Sequence, residues 1–252
     1  MPLQADVFLT YAHVTPEDVH GRSVVIIDVF RASSTIVTAL HQGARAIIPV
    51  QDSAEAGKIT SHLDQDSYLL AGERGGEQIE GYHLGNSPLS FTPDQVTGQI
   101  ILLNTTNGTQ AVAHAQESTH MVIGCFLNVS SVVSFLEAAD RPITLVCAGW
   151  RRRVSLEDTL CAGLLLDRLW GGQPPAKLSD AVQVAYGQYE RAAADLHGAL
   201  LRCDHAQRLI GMGAADDVQY CTQVDALNAL PYYRDRQLTL LSNWSSVLSS
   251  AA

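Results

Sequence analysis

Short runs of aliphatic residues alternate with helix-like segments along most of the chain. The strand candidates are SVVIID, ARAIIPV, SYLLAG, QIILLN, HMVIGC and PITLVCAG, which begin at residues 23, 44, 67, 99, 120 and 142. Helical patterns are predicted near 33–42, 53–63, 107–117, 129–139 and 155–169. Nearly continuous apolar strands separated by helices are typical of a parallel sheet that is covered on both faces. The pattern therefore predicts an α/β fold around a mainly parallel sheet.

Polar turns follow four of these strands, where a helix or a glycine-containing loop begins. The turns are IIDVFRASST, LLAGERGGEQIEG, LLNTTNGTQA and VCAGWRRRVSLEDT, which start at residues 26, 69, 102 and 146. In a parallel sheet such turns lie at the carboxyl edge, where ligands bind and helix N termini present free N–H groups to anions. We therefore expect the four turns to meet at one edge of the sheet.

Four carboxylates lie in these turns: Asp28, Glu73, Glu157 and Asp158. Asp28 alone has an ordinary explanation, because an Asp at a strand end often caps the next helix. Several carboxylates at one edge would repel each other unless a cation lay between them. Oxygen ligands without a His or Cys cluster favour Mg²⁺ over zinc. The pattern predicts a Mg²⁺ site built from Asp28, Glu73 and either Glu157 or Asp158, with a helix cap as the alternative for Asp28.

Groups that could bind an anion occur in the same turns. Arg31 and Arg74 each lie beside a carboxylate at a strand end, and arginine makes bidentate contacts with phosphate. The RRR run at 151–153 fits a solvated charge run as well as an anion clamp. NTTNGT is a candidate anion cradle without the P-loop pattern, and the serine of LGNSP either contacts ligand or begins a turn. We expect substrate contacts from Arg31, Arg74, Ser87, Asn104, Thr105, Thr106, Asn107, Gly108 and Thr109.

Composition and charge narrow the class of protein. The 252 residues are 46% hydrophobic and 17% charged without a long Pro/Gly/Ser tract, which predicts one domain over 1–252 with a helical segment at about 178–210. The net charge of −10 argues against nucleic acid, although local cations can still bind a small anionic phosphorylated substrate. No apolar run approaches the roughly 20 residues that cross a bilayer, and the N terminus lacks a secretion signal. We expect a cytoplasmic protein without membrane contact, and a homodimer stays open.

Other familiar chemistries are weakly supported by the sequence. H-E-x-x-H, G-x-S-x-G and G-x-G-x-x-G patterns are missing, which disfavours a metalloprotease, an α/β-hydrolase and a dinucleotide-dependent dehydrogenase. The five cysteines have no C-x-x-C spacing. We expect them to be reduced, packed thiols instead of nucleophiles.

At these same turns the chain resembles a known family, the 2-phosphosulfolactate phosphatases. The matching blocks are IDVFRASSTIVTAL, GERGG, LGNSPLSF, NTTNGT and CAG…SLEDTLCAG, in this order between about residues 24 and 170. The C-terminal part is similar through DALNALPYYRDRQ, although the family more often has Gly after the residue that corresponds to Asp235. The resemblance implies a three-layer α/β/α sandwich around a mostly parallel sheet.

The resemblance also implies an activity. It indicates a Mg²⁺-dependent phosphomonoesterase that converts 2-phospho-3-sulfolactate to 3-sulfolactate and phosphate, a step towards coenzyme M. We expect catalytic roles for Asp28, Arg31, Glu73 and Arg74. Asp28 is either a metal ligand or a nucleophile that forms an aspartyl-phosphate, although the sequence lacks a D-x-D-x-T pattern. The alternatives are a phosphatase of a different hydroxy-acid phosphate and a non-catalytic binder of phosphorylated or sulfonated acids.

Overall fold

The computed structural model describes residues 3–248, which form ten strands and twelve α-helices. The strands are β1 (Ala5–Phe8), β2 (Ser23–Ile27), β3 (Ala46–Pro49), β4 (Tyr68–Arg74), β5 (Glu77–Gln78), β6 (Ile100–Asn104), β7 (His120–Gly124), β8 (Ile143–Cys147), β9 (Pro231–Arg234) and β10 (Gln237–Leu240). The helices are α1 (Pro16–Val19), α2 (Ala32–His41), α3 (Ser53–Thr60), α4 (Pro93–Val96), α5 (Gly108–His114), α6 (Val129–Ala139), α7 (Leu156–Trp170), α8 (Asp180–Ala192), α9 (Leu196–Leu201), α10 (Asp204–Gly211), α11 (Ala215–Cys221) and α12 (Ser245–Leu248). Short 3₁₀ helices occupy Tyr11–His13, Pro88–Ser90, Phe126–Asn128 and Ala193–Asp195.

The alternation of strand and helix follows the hydrophobic pattern. Each of the six aliphatic runs contains a strand, namely β2, β3, β4, β6, β7 and β8. The five helical patterns correspond to α2, α3, α5, α6 and α7, and the later helical segment contains α8, α9 and most of α10. Local signals set the ends, as at α3, where the Asp52 side chain accepts the Glu55 N–H at 2.8 Å. The α/β prediction is therefore confirmed for these six strands and for the helices that follow them.

The strands form one sheet in the order β1-β8-β2-β7-β9-β10-β3-β6-β4-β5. The first four strands are mutually parallel, and so are β3, β6 and β4. Helices cover both faces: Val25 and Ile27 pack with residues of α6, α7 and α8, whereas Val24 and Ile26 pack with residues of α2. Burial on both faces explains why the strands are uniformly apolar. The mostly parallel sheet between helical layers is confirmed.

The two parallel blocks run in opposite directions. β9 is antiparallel to β7 and β10, and β10 is antiparallel to β3, so three successive antiparallel pairings reverse the strand direction. The carboxyl ends of β2 and β8 therefore belong to one block, and those of β4 and β6 belong to the other. The expectation that all four turns share one edge of a single parallel sheet was wrong, because sequence periodicity does not reveal an inserted hairpin.

Both blocks nevertheless pack against the same helix. Ile47 of β3 and Ile101 of β6 share a hydrophobic core cluster with Val24 of β2 and with Val37 and Leu40 of α2. The opposite face of β6 buries Leu102 against α3. Because the two blocks cover one helix, the turns that leave them come together at its N-terminal end.

The hairpin β9–β10 turns through Asp235 and Arg236, which have φ angles of 51° and 63°. Two-residue hairpin turns of type I′ need positive φ at both central positions, and Asp-Gly is among the preferred pairs. Arg236 stands where the resembling family more often has Gly, and its guanidinium contacts Glu55 Oε1 at 3.1 Å. Arg236, which replaces the more usual Gly, thus adopts a strained turn conformation and makes a contact at the surface.

Within residues 3–248, no helix combines the length and the apolar character that a membrane span needs. The single-domain organisation over 1–252 stays a prediction.

Candidate active site

A cavity of about 90 Å³ lies where the turns after β2, β4, β6 and β8 meet α10. This volume is well below the roughly 300–1,000 Å³ of pockets for drug-sized ligands, so the cavity favours a small substrate. Although the chain is acidic overall, arginines outnumber carboxylates in the lining. The lining residues are Asp28, Phe30, Arg31, Glu73, Gly75, Gly76, Asn86, Thr105, Thr106, Asn107, Trp150, Arg151, His205, Arg208 and Leu209.

Asp28 lies at the base of the cavity, just after β2. Its backbone N–H donates to Ser33 Oγ at 2.9 Å, and its carboxylate accepts the N–H of Ala32 at the start of α2. Burial raises the pKa of Asp28 well above its ordinary value, and the negative charges of Asp158, Glu73 and Glu157 raise it further. Asp28 therefore lies beside the N terminus of α2 without being its N-cap residue, which is Arg31. It presents a carboxyl group whose charged form would be stabilised by a cation.

Glu73 connects two of the turns that line the cavity. Its Oε1 accepts the N–H and the hydroxyl of Thr106 at 2.9 and 2.7 Å, and its Oε2 accepts the Gly76 N–H at 2.7 Å. These bonds fix the loop after β4 against the loop after β6. Glu73 is thus placed beside the predicted anion cradle.

The NTTNGT turn is divided between the cavity and the structure behind it. Thr105, Thr106 and Asn107 line the cavity, whereas Asn104 and Thr109 are buried beneath. A Cβ on Gly108 would lie 2.8 Å from Ala32 Cβ and 3.1 Å from Asp28 Oδ2. Only glycine lets α5 approach α2 this closely, so Gly108 positions the turn against Asp28 and is not itself a cavity wall.

Arg31 lies in the cavity wall and is held by a buried ion pair. Its Nη1 is 2.6 Å from Asp217 Oδ2, and its Nη2 donates to the Gly76 carbonyl at 2.8 Å. The Phe30–Arg31 peptide bond that precedes this side chain is cis. The Ser87 hydroxyl donates to the other carboxylate oxygen of Asp217 at 2.5 Å. Ser87 therefore acts here on Asp217 and does not line the cavity.

Arg74 is directed away from the cavity. Its guanidinium donates to the Glu73 carbonyl at 2.9 Å and to Asn104 Oδ1 at 2.8 Å, and it is absent from the cavity lining. Adjacent residues of a strand point to opposite faces, which places Arg74 opposite Glu73. The structure thus indicates that Arg74 holds Asn104 in place. The position of Arg74 does not favour direct contact with the substrate.

Glu157 and Asp158 lie behind the cavity, in the first turn of α7. Asp158 accepts hydrogen bonds from Val29 N–H, Gly149 N–H and the Ser155 hydroxyl at 2.7 to 2.9 Å. Burial, followed by the charge of Glu157, raises the pKa of Asp158 to about 7 despite these bonds. Glu157 Oε1 is 3.0 Å from His205 Nδ1. Neither of these two carboxylates lines the cavity.

The donor set fits a metal ion that is shared with the substrate. No group of three or more His, Cys, Asp or Glu side chains between residues 3 and 248 is placed to hold a metal by itself. Mg²⁺ usually keeps several waters and is bound through one or two carboxylates together with substrate phosphate. Asp28 and Glu73 are the two carboxylates in the cavity lining. They match this requirement, whereas Glu157 and Asp158 do not reach the cavity.

Several cavity residues were not predicted from the sequence. Trp150, His205, Arg208 and Asn86 were missed, and Arg151 was left undecided within the RRR run. Single histidines and arginines on a helix such as α10 carry no local signal of a site. The cysteines of the described chain are free and buried, and burial raises the pKa of Cys147 and Cys161 well above the ordinary value. These thiols stay protonated, as expected for packing residues.

Comparison with known proteins decides the family. Residues 8–236 match the profile of a family described as 2-phosphosulpholactate phosphatase. The chain belongs to the 2-phosphosulpholactate phosphatase family. The match covers the turns after β2, β4, β6 and β8, helix α10 and the β9–β10 hairpin up to Arg236. All the cavity residues therefore lie within the part that defines this family.

Relatives named "Probable 2-phosphosulfolactate phosphatase" support the same assignment. One from Picosynechococcus sp. is 41% identical over 219 residues, covering 86% of this chain and 90% of the relative. Others from Caldanaerobacter subterraneus subsp. tengcongensis and Symbiobacterium thermophilum are 35% and 36% identical and cover 88% and 89% of this chain and 92% and 97% of their own lengths. The predicted family and the class of enzyme, a phosphoric monoester hydrolase of the 2-phosphosulfolactate phosphatase type, are confirmed.

Proposed function

We propose that the chain hydrolyses 2-phospho-3-sulfolactate to 3-sulfolactate and phosphate in a Mg²⁺-dependent reaction. The observation that carries the proposal is one small cavity that combines the carboxylates of Asp28 and Glu73 with the guanidinium groups of Arg31, Arg151 and Arg208. The names of the relatives point to the same substrate. The proposal includes a location in the cytoplasm and a step in the synthesis of coenzyme M.

The charges of the substrate match those of the cavity. The substrate carries a phosphate, a carboxylate and a sulfonate on three carbon atoms. Three arginines line the cavity, and a cation held by the two carboxylates would add further positive charge. Arginine is well suited to oxyanions because its planar donors fit two oxygens at once. An uncharged or singly charged substrate would leave most of these groups without partners.

Asp28 and Glu73 are the residues that would hold Mg²⁺. When bound, Mg²⁺ supplies neutralisation of phosphate charge and polarisation of a water molecule. Glu73 is oriented for this role by Thr106 and Gly76, and Asp28 by the N terminus of α2. Phosphoryl transfer depends chiefly on such alignment and charge stabilisation, so rigid carboxylates serve it well.

The remaining groups orient the phosphate and the leaving oxygen. Arg31 is fixed by Asp217 and Gly76, so its unused guanidinium N–H groups can donate to the phosphate. Asn86 lines the cavity, and its buried Oδ1 has no partner in the described chain, which suits it to accept a hydrogen bond from an attacking water. Glu157 holds His205 through Nδ1, leaving Nε2 as the ring nitrogen that can donate a proton to the leaving oxygen.

Asp28 could also act as the nucleophile. Its bond to the Ala32 N–H and its closeness to Gly108 fix the carboxyl group, which serves either role. We keep metal ligation as the proposal, because Glu73 lines the same small cavity as a second oxygen donor. Rapid-quench labelling distinguishes the two mechanisms, since a nucleophilic Asp28 would carry phosphate on the protein and a metal-ligated Asp28 would not.

The function is tested by phosphate release from phosphosulfolactate with Mg²⁺ and again after EDTA. Asp28→Asn should lower kcat/KM by at least a hundredfold, because it removes a charge that neutralises the site. The matched control is Asp52→Asn, which makes the same substitution at the N-cap of α3, outside this cavity, and should leave turnover nearly unchanged. Equal activity in the two folded variants would contradict the proposal.

The substrate panel separates the alternatives. Faster turnover of another hydroxy-acid phosphate, such as phospholactate or phosphoglycerate, would assign the chain to that substrate. Saturable binding of phosphosulfolactate without phosphate release, with Mg²⁺ present, would indicate a non-catalytic binder.

A further inference from the structure

Three side chains converge on the indole of Trp150 at one side of the cavity. The Arg151 guanidinium carbon lies 4.7 Å from the ring centroid, and that of Arg208 lies 5.7 Å away. The His205 ring is stacked on the indole, with centroids 5.6 Å apart and an interplanar angle of 21°. Glu157 fixes His205 in turn. The indole is therefore held in place and carries two guanidinium groups from different parts of the chain.

Neither guanidinium group is neutralised by a carboxylate. The ion pairs between described residues include Arg31, Arg202, Arg234 and Arg236, but neither Arg151 nor Arg208. Arg208 instead donates to the Gly75 carbonyl, which restricts its position. Contact with an aromatic face offsets only part of the repulsion between two cations. A bound anion would stabilise both groups at once.

We infer that Arg151 and Arg208, arranged around Trp150, bind the sulfonate of the substrate and determine the specificity for it. The inference rests on the proposed function. Asp28, Glu73 and Thr106 form the part of the cavity assigned to the phosphate and Mg²⁺, which leaves the Trp150 side for the other end of the substrate. A sulfonate has three oxygens around one sulfur atom, so two guanidinium groups that approach from different elements can each donate to it.

Two truncated substrates test which anionic group of the substrate these arginines bind. Phospholactate keeps the carboxylate and lacks the sulfonate, whereas the phosphate ester of isethionate keeps the sulfonate and lacks the carboxylate. Arg151→Gln and Arg208→Gln should each lower kcat/KM for phosphosulfolactate and for the isethionate ester by tenfold to a hundredfold. Turnover of phospholactate should change less than twofold, which also shows that the variants fold.

Arg152→Gln is the matched control. Arg152 neighbours Arg151 in the same turn and, like Arg151, is exposed. It has a similar positive φ of 61° against 52°, and it does not line the cavity. The control should act on all three esters like the parent protein. An equal loss on phospholactate and the sulfonated esters would overturn the inference, and so would an unchanged kcat/KM for both sulfonated esters.

A binding measurement separates this inference from the proposed function. Calorimetric titration with 3-sulfolactate and with lactate needs no hydrolysis, and it should show a preference for sulfolactate that Arg151→Gln and Arg208→Gln abolish and Arg152→Gln keeps. If phosphosulfolactate is not hydrolysed but this preference is found, the proposed function fails and the sulfonate subsite stands. If the parent protein shows no preference for sulfolactate, the subsite is refuted whatever the protein hydrolyses.

Discussion

Asp217 should determine both the position of Arg31 and a measurable part of the stability. Asp217 receives Arg31 Nη1 at 2.6 Å and the Ser87 hydroxyl at 2.5 Å. The two charged side chains are only 8% and 6% exposed, so the pair is barely screened by solvent. Asp217→Asn keeps an acceptor oxygen but removes the negative charge, which leaves a buried guanidinium without its counter-ion.

The size of the effect follows from this burial. Removing one partner of a buried ion pair costs about 3–5 kcal/mol, and an asparagine that still accepts one hydrogen bond recovers part of it. We expect Asp217→Asn to lower the free energy of unfolding by about 2 kcal/mol, which corresponds to a fall in Tm of roughly 4–8 °C for a chain of this size. kcat/KM should fall at least tenfold, because Arg31 is no longer aligned with the phosphate.

Asp216→Asn provides the comparison within the same turn of α11. Asp216 is exposed and makes no ion pair with another described residue, so its replacement should cost only a few tenths of a kcal/mol. The assays are urea unfolding and phosphate release at saturating Mg²⁺. If Asp217→Asn is as stable and as active as Asp216→Asn, Arg31 does not depend on this pair and the reasoning fails.

Two further predictions concern the packing around Asp28 and its charge. Gly108→Ala should destabilise the protein by about 1–3 kcal/mol and lower kcat more than tenfold, because its Cβ would press on Ala32 and on the Asp28 carboxylate. In thermal unfolding, the control Gly187→Ala should instead stabilise the protein slightly, because Gly187 lies within α8 and a Cβ there would meet no neighbour. Equal effects of the two substitutions would contradict the steric argument. Burial holds the pKa of Asp158 near 7 and that of Asp28 above its ordinary value, so the folded state binds more protons than the unfolded state above about pH 4. In chemical denaturation with EDTA, the free energy of unfolding should therefore fall as pH rises from 4 towards 7. Both added Mg²⁺ and the Asp28→Asn substitution should make this fall smaller. A free energy of unfolding that rises over this pH range would refute the prediction.

Much of the fold was accessible from the sequence because local signals and burial agree. The aliphatic runs of β2, β7 and β8 are buried on both faces. A short, continuously apolar run is typical of a parallel strand that is covered by helices on both faces, so the sequence pattern indicates this arrangement. The hairpin β9–β10 was not predicted, since Pro231–Arg234 and Gln237–Leu240 are short and mix polar with apolar residues. The direction of the second block depends on that hairpin and was missed with it.

The candidate site was predictable where a residue follows a strand and not where it arrives from a distant helix. Asp28, Glu73 and Thr106 follow or end apolar strands, and the sequence pattern points to them directly. His205 and Arg208 reach the cavity through the packing of α10, and nothing in their neighbours distinguishes them from surface residues. Arg74 shows the opposite case: its place beside Glu73 in the sequence suggested the cavity, but strand alternation turns it away from Glu73 and leaves it outside the lining.

The reversal of the sheet has a consequence for how the enzyme holds together. Asp28 belongs to one parallel block and Glu73 to the other, and the blocks are joined within the sheet through a hairpin whose outer pairings are Val122 with Tyr232 and Ile47 with Leu238. The separation of the two carboxylates therefore depends on how the hairpin joins the blocks within the sheet, in addition to the packing of both blocks against α2. If the two carboxylates hold a cation as proposed, a variant that loosens the hairpin should weaken cation binding at a cavity that the hairpin residues do not line.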